Sequence, residues 1–154
     1  MSEVDAWLLD LGEGLHGAVG ALEMVHVLPD APALFEIPRS PAYCREVLVW
    51  QGEIMPLMNL AMRLLGRPVA ESRDLVAVTA FQEYPGAEPH YGALALSAPP
   101  VRIRVNDSRA CELPEAQPDW QRLAIACFRR SDLGPVPVLD LGKVFSLPSG
   151  GTDE

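Results

Sequence analysis

The sequence is poor in aromatic residues and in lysine, and its first quarter has no basic residue. Aromatic residues make up 6% of the 154 residues, and Lys143 is the only lysine. Residues 1–38 hold seven acidic side chains and no Lys or Arg, and the formal net charge of the chain is -9. Such a surface repels phosphate and offers few rings on which bases can stack. We therefore expect no binding to nucleic acid.

Cysteines are few, and long apolar runs are absent. Cys44, Cys111 and Cys127 are far apart and form no zinc-like spacing, so we interpret them as small buried side chains in a reducing compartment. The longest uncharged stretch, residues 89–101, is too short and too broken by Pro and Gly to span a bilayer. The N-terminus lacks a basic n-region. We expect a cytoplasmic protein without direct membrane insertion.

No group of residues with catalytic or ligand-binding spacing is visible. His16, His26 and His90 are isolated, and none has a partner at the spacing of an HExxH motif. The glycines of LGEGLHG lack the strand-to-helix context that holds a phosphate. We expect no catalytic residue, no metal site and no cofactor.

What the sequence does contain is frequent turn residues between short apolar runs. Fifteen Pro and twelve Gly predict many turns and many short strands. We count nine or ten strands and two short helices, which predicts an all-β, barrel-like fold. The predicted strands lie at residues 6–9, 18–19, 24–28, 47–50, 53–57, 75–81, 91–97, 101–105, 122–130 and 135–139.

The stretch VLVWQGEIMPLMNL predicts a hairpin that leads into a helix. Gln51 and Gly52 suit a two-residue primed turn, in which the backbone angle φ is positive. Pro56 has no N–H to donate, so the second strand is expected to lie at a sheet edge or to end there. Asn59 is a good N-cap for the helix, and Gly66 is expected just after its C-terminus. Further along, Asp140 is expected to cap a last helical turn.

The segment VRIRV alternates strictly, which predicts a strand with Val101, Ile103 and Val105 inward and its two arginines outward. Several more arginines follow late in the chain. We interpret them as a solvated strand face, and a basic strip that balances the acidic first quarter is the alternative. These arginines are Arg102, Arg104, Arg109, Arg122, Arg129 and Arg130.

The order of these signals resembles the CheW-like family, the chemotaxis coupling proteins. The best-matching segments are residues 37–66, 91–96 and 134–145, and the last reads GPVPVLDLGKVF. The resemblance implies two small five-stranded β-barrel-like subdomains that share a core, with two short helices. They would form a single domain over residues 1–147 with a switch between subdomains near 66–72, followed by a flexible tail at 148–154.

The resemblance also implies a function without catalysis. Proteins of this family are adaptors that bridge the cytoplasmic tip of a chemoreceptor and the regulatory domain of a histidine autokinase, which has the same fold. We expect such an adaptor, recruited to membrane-associated receptor arrays. The alternatives are an accessory protein of a pilus-type or other chemosensory pathway with altered partners, and a small β-barrel that binds a ligand.

Partner contacts are expected around the hairpin. Relatives usually carry Arg-Gly at the tip, where this chain has Gln51 and Gly52, and a Glu at the position of Val27. Leu48 and Trp50 share one face of the hairpin, and we expect both to be partly accessible near the tip. The predicted partner-binding residues are Val25, Val27, Leu48, Trp50, Gln51 and Gly52.

Overall fold

The computed structural model describes residues 3–29, 33–69 and 75–146, which form eleven strands and three short α-helices. The predicted tail at 148–154 lies outside the described residues. The strands are β1 (Glu3–Gly12), β2 (Leu15–Gly20), β3 (Met24–Leu28), β4 (Leu34–Glu36), β5 (Glu46–Trp50), β6 (Glu53–Met58), β7 (Leu75–Phe81), β8 (His90–Leu96), β9 (Ala98–Asn106), β10 (Ala124–Arg130) and β11 (Gly134–Leu139). The helices are α1 (Leu60–Leu65), α2 (Trp120–Leu123) and α3 (Leu141–Val144), and short 3-10 turns occur at Ala21–Glu23, Ala42–Cys44 and Asp107–Arg109.

The strands form two mixed sheets. The first has five strands in the order β10-β11-β2-β1-β9, and the second has six in the order β3-β7-β8-β6-β5-β4. The pairs β11–β2 and β6–β8 are parallel, and the others are antiparallel. The all-β prediction with two β subdomains is confirmed, although neither sheet closes into a barrel and the second has six strands rather than five.

The chain changes sheets twice, after β2 and again after β8. The segment after α1 connects β6 to β7, and both strands belong to the six-stranded sheet. The expected switch near residues 66–72 is therefore not a change of sheet. The prediction of a single domain over residues 1–147 stays a prediction, since part of that range lies outside the described residues.

The two sheets share one apolar core and each also has a smaller cluster of its own. The shared core takes Leu9 from β1, Leu94 from β8, Trp120 from α2 and Leu141 from α3, all at most 1% exposed. Burying each such side chain contributes about 1.5–3 kcal/mol relative to leaving it in water. Because residues from both sheets fill this core, the sheets fold against each other, as the predicted shared core requires.

The predicted helix ends are confirmed. The side-chain oxygen of Asn59 accepts a hydrogen bond from the Met62 N–H at 3.0 Å, which satisfies a free donor of the first turn of α1. Gly66 adopts the left-handed conformation at φ 67°, and its N–H donates to the Met62 carbonyl. Asp140 caps α3 in the same way, accepting from the Lys143 N–H at 3.2 Å.

The expectation that Pro56 marks a sheet edge is wrong. Its strand, β6, continues to Met58 and lies inside the six-stranded sheet between β5 and β8. Pro56 is opposite Val47 of β5, whereas pairing with β8 involves only Leu57 and Met58. The strand tolerates the missing N–H because the ladder with β8 begins one residue after the proline.

Two other strand predictions need correction. Val101 is 54% exposed and so is not buried as expected, whereas Ile103 is buried. The predicted strand at 122–130 begins only at Ala124, because the residues before it form the helical turn α2. Pro118 lies two residues before α2, and its carbonyl accepts from the Gln121 N–H at 3.1 Å.

The arginines of β9 pair with the acidic N-terminal strand. Arg102 contacts Asp5 at 3.2 Å and lies over the ring of Trp7, and Arg104 contacts Glu3 and Asp5 at 3.5 Å. All these side chains are about half exposed or more, so each pair adds only about 0–1 kcal/mol. These two arginines therefore lie on a solvated strand face and also offset part of the acidic first quarter.

Candidate docking site

The β5–β6 hairpin turns through two residues with positive φ. Gln51 has φ 50° and Gly52 has φ 81°, which is the backbone of a type I′ turn, and Trp50 pairs with Glu53 across it. The predicted primed turn is confirmed. The positive φ is less favourable for Gln51 than for Gly52, because Gln51 has a β-carbon.

One face of the hairpin is buried, and it is the face that was expected to be accessible. Leu48 and Met55 are cross-strand partners, both are fully buried, and they lie in the apolar cluster of the six-stranded sheet. Trp50 packs against the same cluster and is half-buried. The expectation that Leu48 is accessible to a partner is wrong, because its side chain fills this core.

The opposite face of the hairpin is apolar and exposed. Val49 and Ile54 are directly opposite each other across the two strands and are 49% and 72% exposed. Two residues away on this face, Val47 pairs with Pro56 of β6 and with Phe35 of β4, which is 54% exposed. We call Phe35, Val47, Val49, Ile54 and Pro56 the docking face.

The docking face reaches the edge of its sheet. In the described part of the chain, β4 is the last strand beyond β5 and contains only three residues. Phe35 leaves a bulky apolar side chain exposed at this edge, and exposed apolar area of this kind marks places where another protein docks. The combination of Phe35 with the Val49–Ile54 pair gives a continuous apolar surface across three strands.

The hairpin tip also meets strand β3 from the far edge of the same sheet. The ring of His26 in β3 stacks on the indole of Trp50, with centroids 5.6 Å apart. Val25 lies at a bulge of β3 and is 41% exposed, while Val27 is half-buried. The structure thus brings β3 close to the tip, where Gln51 and Gly52 are exposed.

The docking face offers contact area rather than reactive groups. Its side chains are aliphatic or aromatic and include no nucleophile, acid or base. Within residues 3–29, 33–69 and 75–146, no cluster of three or more His, Cys, Asp or Glu could hold a metal ion. Across the same ranges, no helix has the length and apolarity to cross a membrane.

The chain matches the family model of the CheW-like domain over residues 7–149. The chain belongs to the CheW-like family. A solved structure, the scaffolding protein TtCheW from Thermoanaerobacter tengcongensis, superposes with a TM-score of 0.72 at 15% sequence identity, covering 96% of this chain and 90% of that one. At this identity the structural likeness shows the fold. No curated protein matches the CheW-like chain in sequence.

Sequence reasoning on this CheW-like chain missed the two most exposed residues of the docking face. Ile54 was assigned to a strand, but nothing in its neighbours shows which face is buried, because Val47, Leu48, Val49 and Trp50 are all apolar. Alternation defines two faces and does not choose between them. Phe35 lies in a strand of three residues, which is too short for its pattern to be recognised.

Proposed function

We propose that this protein is a non-enzymatic adaptor of a bacterial chemosensory system, located in the cytoplasm and recruited to receptor arrays. Its docking face binds the regulatory domain of a histidine autokinase. A second contact, made by the hairpin tip and β3, is with the cytoplasmic tip of a chemoreceptor. Membership of the CheW-like family and the likeness to a scaffolding protein support this assignment.

The observation that carries the proposal is the exposure of the docking face. Val49 and Ile54, side by side at 49% and 72% exposure, leave apolar area in water that a partner can cover. Burial of apolar area contributes about 25 cal/mol per Å². Interface cores are built from such contiguous apolar side chains with a polar rim around them.

Two departures, one at the hairpin tip and one in β3, support altered partners, as in a pilus-type pathway. Gln51 stands where relatives have Arg, and Gln cannot supply the forked, charged donor of a guanidinium. Val27 stands where relatives have Glu. Because the docking face includes neither position, we infer that the kinase contact is retained while the receptor contact differs from that of other family members.

The test makes the same substitution at two exposed isoleucines, one in the docking face and one on the other sheet. Ile54→Asp places a charge in the docking face, and Ile125→Asp places the same charge on β10 of the other sheet, where Ile125 is 64% exposed. Calorimetric titration with the regulatory domain of the cognate histidine autokinase measures both. We expect Ile54→Asp to weaken binding about 30-fold or more, as for an interface hot spot, and Ile125→Asp to leave it unchanged.

Thermal unfolding of both variants accompanies the titration, and we expect both to keep the melting temperature of the parent protein, since both side chains are exposed. Equal binding by the parent and the Ile54→Asp variant would contradict the docking face. No binding of the parent protein to either the kinase domain or the receptor tip would reject the adaptor role itself.

A further inference from the structure

Two cysteines that are far apart in sequence meet in the structure. Cys111 follows the 3-10 turn Asp107–Arg109, and Cys127 lies in β10. The Cys111 N–H donates to the Cys127 carbonyl at 3.0 Å, and the neighbouring Ala110 forms an isolated antiparallel bridge with Phe128. The two sulfur atoms are 3.4 Å apart, and both thiols are free.

The two thiols differ in environment. Cys127 is buried, and burial together with the hydrogen bond to Cys111 raises the pKa of its thiol to about 12. Cys111 is only half-buried, and both residues line a surface cleft of about 580 Å³. Cys44, the third cysteine, belongs to the shared core and is 3% exposed. Cys111 is therefore the thiol that a small oxidant in solution reaches most easily.

We propose that Cys111 and Cys127 are a peroxide-sensitive modification site that closes to an intramolecular disulfide. This goes beyond the adaptor role and does not depend on it. The observation behind it is the pairing of one accessible and one buried sulfur at 3.4 Å across two backbone segments already held together by hydrogen bonds.

The chemistry proceeds in two balanced steps. The Cys111 thiolate attacks hydrogen peroxide, so that an S–O bond forms, the O–O bond breaks and hydroxide leaves, giving a sulfenic acid. The sulfur of Cys127 then attacks the sulfur of Cys111, an S–S bond forms, and the S–O bond breaks. The Cys127 proton leaves with the hydroxyl group as water. The proton that Cys111 lost on ionisation joins the released hydroxide, so in sum two thiols and one peroxide give one disulfide and two waters.

Closure needs only a small movement. A disulfide requires the sulfurs to approach to about 2.05 Å, and the backbone on both sides is already in register. The high thiol pKa of Cys127 keeps its thiolate fraction small and slows the second step, but a thiolate of high pKa is also the stronger nucleophile, and the two sulfurs are already 3.4 Å apart. A dithiol reductant reverses the bond, so the site is a reversible one in a reducing compartment.

Peptide mapping tests the proposal on the full chain. Trypsin places the three cysteines on three different peptides, residues 40–45, 110–122 and 123–129. Folded protein is treated with hydrogen peroxide, free thiols are blocked by alkylation, and the digest is analysed by mass spectrometry. We expect a crosslinked pair of peptides 110–122 and 123–129 that disappears after dithiothreitol, with Cys44 alkylated.

Two variants make the result specific. Cys44→Ser keeps both partner thiols and should form the same crosslink in full. Cys127→Ser removes the resolving thiol and should leave Cys111 as a sulfenic acid that dimedone traps. Alkylation of all three cysteines after peroxide, crosslinks between separate chains only, or over-oxidation of Cys111 without a crosslink would each overturn the proposal.

Discussion

The imidazole of His26 stacks on the indole of Trp50, with ring centroids 5.6 Å apart and an angle of 23° between the planes. His26 lies in β3, at one end of the six-stranded sheet, and Trp50 lies in β5, next to the strand at the other end. The contact therefore requires the sheet to curve strongly, so that strands near its two opposite edges come close together. It also ties the tip of the hairpin, which carries Gln51 and Gly52, to a strand distant in pairing order.

Trp50 contributes to stability as well as to the hairpin tip. We expect Trp50→Ala to lower the free energy of unfolding by about 2–3 kcal/mol, less than for a fully buried tryptophan, because the indole is half-buried against the core of its sheet. His26→Ala removes only the stacked ring and should cost about 0.5–1.5 kcal/mol. Urea denaturation measures both. Unchanged stability of Trp50→Ala with weakened partner binding would instead make Trp50 a partner contact, as first predicted from the sequence.

The turn residues predict a second set of stability changes. Gln51→Asn should stabilise the protein by about 0.5 kcal/mol, because Asn tolerates positive φ better than Gln. Gly52→Ala should destabilise it by about 1 kcal/mol, because a β-carbon at φ 81° is strained. Gln51→Arg is the matched control, since it keeps the length of a long side chain. A loss of stability in Gln51→Asn, measured by urea denaturation, would contradict the strain argument.

Gly92 is required by close packing. A β-carbon on this residue of β8 would run into the ring of Phe145, which stacks on Phe81 with centroids 5.8 Å apart. We expect Gly92→Ala to destabilise the protein by about 1–3 kcal/mol through overpacking, measured by chemical denaturation. Gly17→Ala is the control, since its nearest neighbours would be at 3.6 Å, an ordinary contact. Equal effects of the two substitutions would argue against a specific clash with Phe145.

Glu23 gives the stability of the protein a pH dependence. Burial is the main cause that raises the pKa of its carboxyl group above the ordinary value, and the charge of the nearby Asp140 raises this pKa further. The hydrogen bond from the Gly20 N–H at 2.9 Å lowers the pKa but does not reverse the shift. Because the folded state binds this proton more tightly than the unfolded state, the stabilising contribution is present at low pH. It is lost as the pH rises through the raised pKa.

The substitution Glu23→Gln removes this charge and keeps an oxygen that can accept from Gly20. We expect the melting temperature of Glu23→Gln to rise relative to the parent protein as the pH increases from about 4 to about 7. Thermal unfolding followed by circular dichroism at several pH values measures the difference. A difference that is constant over this range would show that Glu23 has the same pKa in both states.

Much of the local structure could be predicted because its causes lie close together in sequence. The hairpin follows from a Gln-Gly pair between apolar runs, and the ends of α1 follow from Asn59 and Gly66. In each case a side chain or a glycine satisfies or permits a backbone conformation within a few residues. The order of these features also carried the resemblance to the CheW-like family, which the family comparison confirmed.

Long-range relationships could not be predicted in the same way. The pairing of β6 with β8, which makes β6 an interior strand, depends on residues 36 positions further along the chain. Trp120, the largest fully buried side chain in the described ranges, lies in a short helical turn. This turn is not predicted, because the sequence that follows it has the pattern of a strand. The meeting of Cys111 with Cys127 likewise depends on how a loop returns to β10.

The sequence by itself determined the hairpin, the helix caps, the all-β class and the lack of a recognisable catalytic motif. Only the tertiary structure decided which face of the hairpin is buried. Leu48 and Val49 are adjacent apolar residues that lie on opposite faces of the strand. The alternating pattern defines these two faces but does not show which of them is buried. The curvature of the six-stranded sheet folds the Leu48 face onto its own core and leaves Val49 in water, so the docking face is set by packing between distant strands.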